Sequence, residues 1–320
     1  MYGVYKFYLN DKLIHEEKNA LTIAGRSIIV KSLLGIIPSF ANSIAYGLGD
    51  SANILSASTN LITNNSLQFE TGRTRVIASS ISLENGNDIL IYSGTIDDTF
   101  QSEIREVGLY PSILADASVG IDGSLIFNFD NVANFIKLGT ASGSNLVTST
   151  YARIGSDLFR VPSTSSANNY LQYSTTDGSF SYLDKYTSQD LFKLAGYNTN
   201  SASCNIFFRF FTNDTSYYDV KFVSPTSSGY FLSEIEKGQA VITGNPSWGS
   251  INYVRIWQEE IPDIYLDGLK LDIGSYFIDS NYGLISRAVL AQPIRKPPSI
   301  PMTIEYSLSL GFNYGVAWVN

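Results

Sequence analysis

QSEIREVGLYPS, residues 101–112, has a pattern typical of a strand that ends in a turn. Its apolar residues are Ile104, Val107 and Leu109, with charged side chains between them. A stretch of similar character, NYGLISRAVLAQPI, lies at residues 281–294, near the other end of the chain. The chain has 320 residues, which exceeds the usual size of one domain. We therefore predict one domain that is interrupted between these two stretches by a second domain.

The composition changes after Pro111. Residues 114–273 contain short strands separated by long loops rich in Ser, Thr and Asn, a pattern typical of a β-sandwich or jelly roll. We expect residues 1–113 and 274–320 to form the split domain, and residues 114–273 to form the inserted one. A surface loop accepts such an insertion because the entropy of loop closure changes slowly with loop length.

The two outer pieces predict a β-rich α+β domain with one helix. Apolar residues near helical spacing place this helix over residues 19–35. Alternation in the last strand puts four residues on one face, namely Met302, Ile304, Tyr306 and Leu308. Further strands are expected at residues 2–9, 43–50, 74–83, 88–95 and 104–109. The predicted fold class is therefore mainly β.

Charge and reactive residues exclude several classes of function. The formal net charge is −8, which disfavours nucleic acid as a partner because that binding depends on clustered Lys and Arg. The single cysteine, Cys204, excludes an internal disulfide and a cysteine-rich zinc site. The single histidine, His15, gives no basis for a Ser-His-Asp or Cys-His catalytic group. No apolar run is long enough to cross a bilayer, and the N-terminus lacks the order of a signal peptide, so we expect synthesis in a cytosol without membrane insertion.

Three short phrases in the first 112 residues carry a resemblance to a known family. They are Asn19-Ala-Leu-Thr-Ile-Ala-Gly25, Ile44-Ala-Tyr-Gly-Leu-Gly49 and Ile104-Arg-Glu-Val-Gly-Leu109. In wording and in order they resemble the opening of tailed-bacteriophage virion structural proteins of the tail-fibre or baseplate type. The resemblance implies a protein that is made in the host cytoplasm and assembles with other virion proteins.

Two strands of the inserted segment resemble the closing strands of carbohydrate-binding-module jelly rolls. They are Ile251-Asn-Tyr-Val-Arg-Ile256 and Tyr265-Leu-Asp-Gly-Leu269. This resemblance implies a sandwich that binds a host surface saccharide. It also leaves a structural calcium ion open, since such jelly rolls often carry one, but no loop here has the acidic spacing of a calcium motif. No other cofactor is expected.

Alternation along three strands predicts a ligand-binding face. Tyr253, Arg255 and Trp257 share one side of their strand, and Arg209 and Asp219 take the matching side of two others. If these strands are neighbours, the side chains form one surface on which sugar rings can stack and hydroxyls can be hydrogen-bonded. The alternative is an ordinary sheet surface, or one that packs against a neighbouring subunit.

No catalytic site is predicted. Glu234 and Glu236 would share one side of a strand, and paired carboxylates serve glycoside hydrolysis. Two acids around one apolar residue are, however, typical of a solvent-exposed strand face. The expected function is therefore non-enzymatic.

The leading hypothesis is a tail-fibre or baseplate component. Its split domain would anchor to the virion, and its inserted domain would contact a host glycan or brace neighbouring subunits. The alternatives are a capsid-decorating protein with a purely structural jelly roll, and a free carbohydrate-binding module. Tyr2, Tyr5 and Tyr8 are expected to be exposed on the first strand, and exposed apolar area favours a homo-oligomer.

Overall fold

The outer and central segments of the chain have separate cores. The computed structural model describes residues 2–49, 66–84, 87–113, 125–130, 135–138, 146–163, 165–174, 180–259, 263–273 and 283–309. The chain divides into a first unit, Met1–Ile113 with Phe277–Asn320, and a second unit, Leu114–Tyr276. Strands dominate the described residues, which contain a single α-helix. The predicted mainly-β fold class is confirmed.

The first unit is a closed barrel of eight antiparallel strands. In order around the barrel, and numbered along the chain, they are β1 (Tyr2–Leu9), β2 (Lys12–Leu21), β19 (Ser286–Lys296), β6 (Ser102–Tyr110), β3 (Ser43–Gly47), β4 (Glu70–Glu84), β5 (Asn87–Ile96) and β20 (Met302–Ser309). The two C-terminal strands close it, because β19 joins β2 to β6 and β20 joins β5 to β1. The barrel therefore needs both outer pieces of the chain.

Alternation along the strands fills the barrel with apolar side chains. The four residues of β20 that were predicted to share one face are all buried: Met302, Ile304, Tyr306 and Leu308. On β1, the ring of Tyr5 lies 4.8 Å from that of Tyr306, and its hydroxyl lies 2.5 Å from Ser286 Oγ. The prediction that Tyr5 is exposed is wrong, because residues three apart on a strand point to opposite sides. Tyr8 is half-buried, and the side chain of Tyr2 lies outside the described part of the structure.

The helix α1 (Ile23–Leu33) is capped at its N-terminus by Thr22, whose side chain accepts a hydrogen bond from Gly25 N at 2.8 Å. The predicted helix began at residue 19, but residues 19–21 belong to β2. There Asn19 pairs with Gly3 of β1, and residues 20 and 21 pair with β19. The helix buries Ile28 and Ile29 in the barrel core.

The second unit consists of two six-stranded sheets. The bounds of its strands are β7 (Leu125–Phe127), β8 (Phe135–Leu138), β9 (Leu146–Thr148), β10 (Asp157–Val161), β11 (Tyr170–Ser174), β12 (Leu191–Asn198), β13 (Asn205–Asn213), β14 (Ser216–Val223), β15 (Gly229–Glu236), β16 (Val241–Thr243), β17 (Tyr253–Gln258) and β18 (Ile264–Asp272). One sheet has the order β15-β12-β18-β10-β9, with β7 also paired to β18. The other has the order β16-β14-β13-β17-β11-β8. Alternate residues of both sheets form one core rich in Phe, Leu and Ile, so the remaining side chains occupy the outer faces.

The chain leaves the barrel after β6 and returns at β19, its hydrogen-bonded neighbour. Ile285 N donates to Leu109 O at 2.8 Å, and Ser286 lies opposite Leu109 in register. The two chain segments that border the central unit therefore lie side by side in the barrel wall.

Two of the three sequence phrases meet at the buried carboxylate of Glu106. Its Oε1 accepts hydrogen bonds from the backbone nitrogens of Gly49, at 3.0 Å, and Phe69, at 2.8 Å. Its Oε2 accepts from Arg287, which is buried with it, at 3.0 and 2.7 Å. A Cβ atom on Gly47 or Gly49 would crowd this carboxylate. The glycine-rich phrase therefore lets the backbone approach the glutamate of the later phrase.

Candidate functional site

One outer face of the second unit carries two arginines in a row. It is the side of the sheet β16-β14-β13-β17-β11-β8 that points away from the core, and we call it the arginine face. Because β14, β13 and β17 are neighbours, the predicted residues Asp219, Arg209 and Arg255 stand opposite one another in register. The row across the six strands is Ile136, Gln172, Arg255, Arg209, Asp219 and Val241.

Aromatic residues flank this row on both sides, since side chains two positions apart on a strand share a face. On one side Phe207 and Trp257 stack with ring centroids 5.0 Å apart and planes at 4°. On the other side Phe211 and Tyr253 stack at 4.5 Å and 20°. The two guanidinium groups therefore lie within an aromatic frame.

Arg209 is paired with Asp219 on the adjacent strand. Arg209 Nε donates to Asp219 Oδ1 at 2.6 Å, and Nη2 donates to Oδ2 at 2.8 Å. Burial alone lowers the pKa of Arg209, but the hydrogen bond and charge of Asp219 outweigh burial and raise that pKa. The guanidinium also lies 4.1 Å from the ring centroid of Tyr217. Asp219 is thus a partner of Arg209 and not a free carboxylate.

Arg255 is held by rings and by one neutral hydrogen bond. Its Nε donates to Gln172 Oε1 at 3.0 Å. Its guanidinium carbon lies 4.3 Å from the ring centroid of Tyr170, 4.4 Å from that of Phe211 and 5.1 Å from that of Tyr253. Such cation–π contacts hold a guanidinium in position without neutralising its charge.

Trp257 supports the face but is not open to a ligand. Its side chain lies on the predicted side of β17, yet the residue is only 2 % exposed. Phe207 stacks on the ring, and Arg209 lies 5.0 Å from its centroid. The predicted direct contact between Trp257 and a ligand does not fit this burial. Trp257 thus differs from the half-buried rings of the face, which a ligand can reach: Tyr170, Phe207, Tyr217 and Tyr253.

Tyr253 keeps its proton over the physiological pH range. Burial and the hydrogen bond that its hydroxyl donates to Asp214 Oδ1, at 2.5 Å, raise the pKa of Tyr253 to about 12, although Arg255 lowers it. The tyrosine therefore presents a neutral ring beside the charge of Arg255.

Sequence reasoning missed the contribution of β11, which places Tyr170 and Gln172 on the arginine face. The alternation in Tyr170-Leu-Gln-Tyr-Ser174, with Leu171 fully buried, was the available signal. It also missed Tyr217, two positions before Asp219 on β14.

The other predicted candidates do not join this face. Glu234 and Glu236 lie on β15, at the edge of the opposite sheet. Within the described ranges, no three His, Cys, Asp or Glu side chains come together as a metal site would require. No helix in the described part of the chain has the length and apolarity to cross a membrane.

Comparison with known proteins gives likenesses of fold only. No protein-family model matches the sequence, and no curated protein matches it significantly. Among solved structures, a family 11 carbohydrate-binding module from Clostridium thermocellum, in complex with a β-1,3-1,4-mixed-linked tetrasaccharide, is similar at 13 % identity and a TM-score of 0.34, over 47 % of this chain and 95 % of the module. A family 22 xylan-binding domain is similar at 15 % identity and a TM-score of 0.27, over 48 % and 96 %.

A third similar structure is the enzymatically active domain of tailspike protein 4 from bacteriophage CBA120. It has 12 % identity and a TM-score of 0.21, over 51 % of this chain and 20 % of the tailspike chain. All three TM-scores are low. The chemistry of the arginine face is therefore argued only from the residues of this chain.

Proposed function

We propose that this protein is a non-enzymatic component of an assembly and binds a saccharide through the arginine face. The observation that carries the proposal is the row of fixed guanidinium and amide groups set among half-buried tyrosine rings. Tyrosine rings pack against the C–H faces of sugars, and guanidinium and amide groups hydrogen-bond to sugar oxygens. The face thus combines the two kinds of contact that a saccharide needs.

The non-enzymatic part of the proposal rests on the state of Asp219. Glycoside hydrolysis uses two carboxyl groups on opposite sides of the scissile bond. The central row of the arginine face holds one carboxylate, and Arg209 occupies both of its oxygens. An acid in that state is a poor proton donor and a poor nucleophile.

The assembly that we propose is a phage virion, with the protein in a tail fibre or baseplate. The support is the ordered set of three sequence phrases, two of which converge on Glu106 in the barrel. In this proposal the barrel attaches to other virion proteins and the second unit binds a surface saccharide of the host. A free carbohydrate-binding module would use the same face, whereas a capsid-decorating protein with a structural sandwich would not bind glycan.

Glycan-array binding of the full-length protein tests saccharide recognition. We expect binding to a defined set of glycans, and we expect Tyr253→Ala to weaken it at least tenfold because a reachable ring is lost. Tyr151→Ala is the matched control, since Tyr151 is an exposed tyrosine that stacks on Tyr197 of the opposite sheet. Absence of binding to every glycan, or equal losses in both variants, would contradict the proposal.

A further inference from the structure

We infer that the saccharide bound by the arginine face is acidic and that Arg255 receives its carboxylate. This inference rests on the proposed function and specifies its ligand class. It is carried by the contrast between Arg255 and the five arginines that form ion pairs with carboxylates.

Arg255 has a fixed position without a charge partner. Five other arginines form ion pairs with carboxylates: Arg73, Arg105, Arg160, Arg209 and Arg287. Within the described residues Arg255 contacts no carboxylate, and its hydrogen bond goes to the neutral amide of Gln172. A guanidinium that is held among rings but not neutralised can accept an anion from outside.

The terminal nitrogens of Arg255 are available for that anion. They make no hydrogen bond to the described residues, and they are not buried, so they are accessible to water. The two nitrogens of a guanidinium fork match the two oxygens of a carboxylate. Since Gln172 already takes the Nε hydrogen, the free edge of the fork fits a carboxylate better than a single hydroxyl.

Local charge on the arginine face favours the same ligand. Arg209, Arg255 and the exposed Lys221 share the face with the carboxylate of Asp219, and Asp214 borders it through Tyr253, so three positive charges face two negative ones. The chain as a whole has a formal net charge of −8. An anionic glycan is therefore repelled by most of the protein and attracted to this face, which adds to specificity.

Tyr170 and Tyr253 would place the sugar ring that bears the carboxylate. Both rings lie beside the guanidinium of Arg255 and are half-buried. A pyranose packed on one of these rings would bring a ring-attached carboxylate to the Arg255 fork. The ligand class that satisfies both contacts is a uronate or a sialic-acid-type sugar.

Calorimetric titration of the full-length protein with matched glycans tests the inference. The probes are oligogalacturonate against the same oligosaccharide with methyl-esterified carboxyls, and sialyllactose against lactose. We expect at least one acidic probe to bind ten times or more tightly than its neutral partner, with affinity that falls as salt rises. Arg255→Gln should remove that difference, and Arg255→Lys should restore part of it because charge without the fork remains.

Two further variants sharpen the test. Asp219→Asn frees the guanidinium of Arg209 and should strengthen binding of the acidic probe. Arg160→Gln, which removes a partly exposed arginine of the opposite sheet, should leave binding unchanged. Circular dichroism and thermal midpoints check that each variant is folded.

The outcomes separate the two proposals. Equal affinity for the acidic and neutral members of each pair would overturn the inference and leave saccharide binding intact. An acidic preference that survives Arg255→Gln in a folded protein would also overturn it. Binding of none of these probes, together with a silent glycan array, would reject the proposed function itself.

Discussion

The buried carboxylate of Glu106 joins several segments of the barrel wall. It accepts hydrogen bonds from the backbone of residues 49, 68 and 69 and from the buried guanidinium of Arg287. Removing one member of a buried ion pair leaves the other charge without compensation, which lowers the free energy of unfolding by roughly 3–5 kcal/mol. Glu106 therefore stabilises the barrel by accepting hydrogen bonds from buried backbone nitrogens as well as by compensating the charge of Arg287.

Glu106→Gln should lower the free energy of unfolding by about 3 kcal/mol, because an amide cannot compensate Arg287 or accept at both oxygens. Urea denaturation measures the change. Glu103→Gln is the control on the same strand, since Glu103 pairs with the partly exposed Arg105 and should cost below about 1 kcal/mol. Similar losses in the two variants would show that the buried network carries no special stability.

Asp267 makes the stability of the second unit depend on pH. Burial raises the pKa of Asp267 to about 7, although hydrogen bonds from Tyr230 and from the backbone of Arg153 and Ile154 oppose this. The folded-state pKa lies above that of the unfolded chain, so the folded protein binds more protons between about pH 4 and 7. This residue's contribution is therefore complete at about pH 4 and is lost as pH rises to 7.

Asp267→Asn should flatten that dependence, because the amide oxygen keeps an acceptor and the side chain no longer ionises. Unfolding free energies from pH 4.5 to 7.5 measure the slope. The wild-type protein should lose on the order of a few kcal/mol from this group across the window. Burial raises the pKa of Asp272, but Lys193 and Lys270 outweigh burial and lower that pKa, so Asp272 titrates below this pH window. An unchanged slope in the variant would contradict the assignment.

Alternation predicted which side chains leave the core of the second unit, but it could not predict how well they are covered. Arg209, Asp219 and Arg255 lie on the predicted side of their strands. Trp257 does too, yet the ring of Phe207 on the next strand covers it. Cover of that kind depends on strand order and register, which arise from contacts between residues distant in sequence.

At the scale of elements, α1 has apolar residues on both of its sides. Ile28 and Ile29 face the core, whereas Val30, Leu33 and Leu34 are exposed, Leu33 by 79 %. Exposed apolar patches commonly mark association surfaces. We propose that α1 contacts a second copy of the chain in the expected homo-oligomer.

Leu33→Lys with Leu34→Lys should shift the protein toward the monomer, since two charges would be buried in the contact. Sedimentation velocity measures the distribution of species. Ser27→Lys is the control, because Ser27 is an exposed polar residue of the same helix. An oligomer of unchanged size would place the contact elsewhere, and a monomeric wild-type protein would reject homo-oligomerisation.

The start of α1 could not be predicted from apolar spacing alone. Apolar spacing alone extended the predicted helix back to residue 19, whereas Asn19 pairs with β1 and residues 20 and 21 pair with β19, so all three belong to β2. Thr22 indicated the correct start, because threonine is a favoured N-cap residue and its hydroxyl can accept a hydrogen bond from the backbone nitrogen three residues later, here Gly25. Strands β3, β6 and β20 lie where alternation predicted them, but the closed order of the barrel depends on pairings that no local pattern contains.

At the scale of the molecule, the barrel has a continuous wall where the chain departs and returns. Because Leu109 and Ile285 are hydrogen-bonded neighbours, a short link can replace the segment between them. Replacing residues 114–283 by a short Gly-Ser linker should give a protein that folds with one cooperative thermal transition and a β-type circular dichroism spectrum. An unfolded or aggregated product would mean that the barrel requires the central unit.

The same junction has a mechanical consequence. The C-terminal end of β6 and the N-terminal end of β19 lie at one end of an antiparallel pair, so tension on the central unit would draw both strands along their own axes. Hydrogen bonds between antiparallel strands run across that direction, so the ladders that join β6 to β3 and β19 to β2 would bear the load in shear instead of opening one bond at a time. Strand β6 is bonded along both edges, to β3 and to β19. An attachment built in this way would resist being pulled out of the barrel, as the virion role proposed above requires.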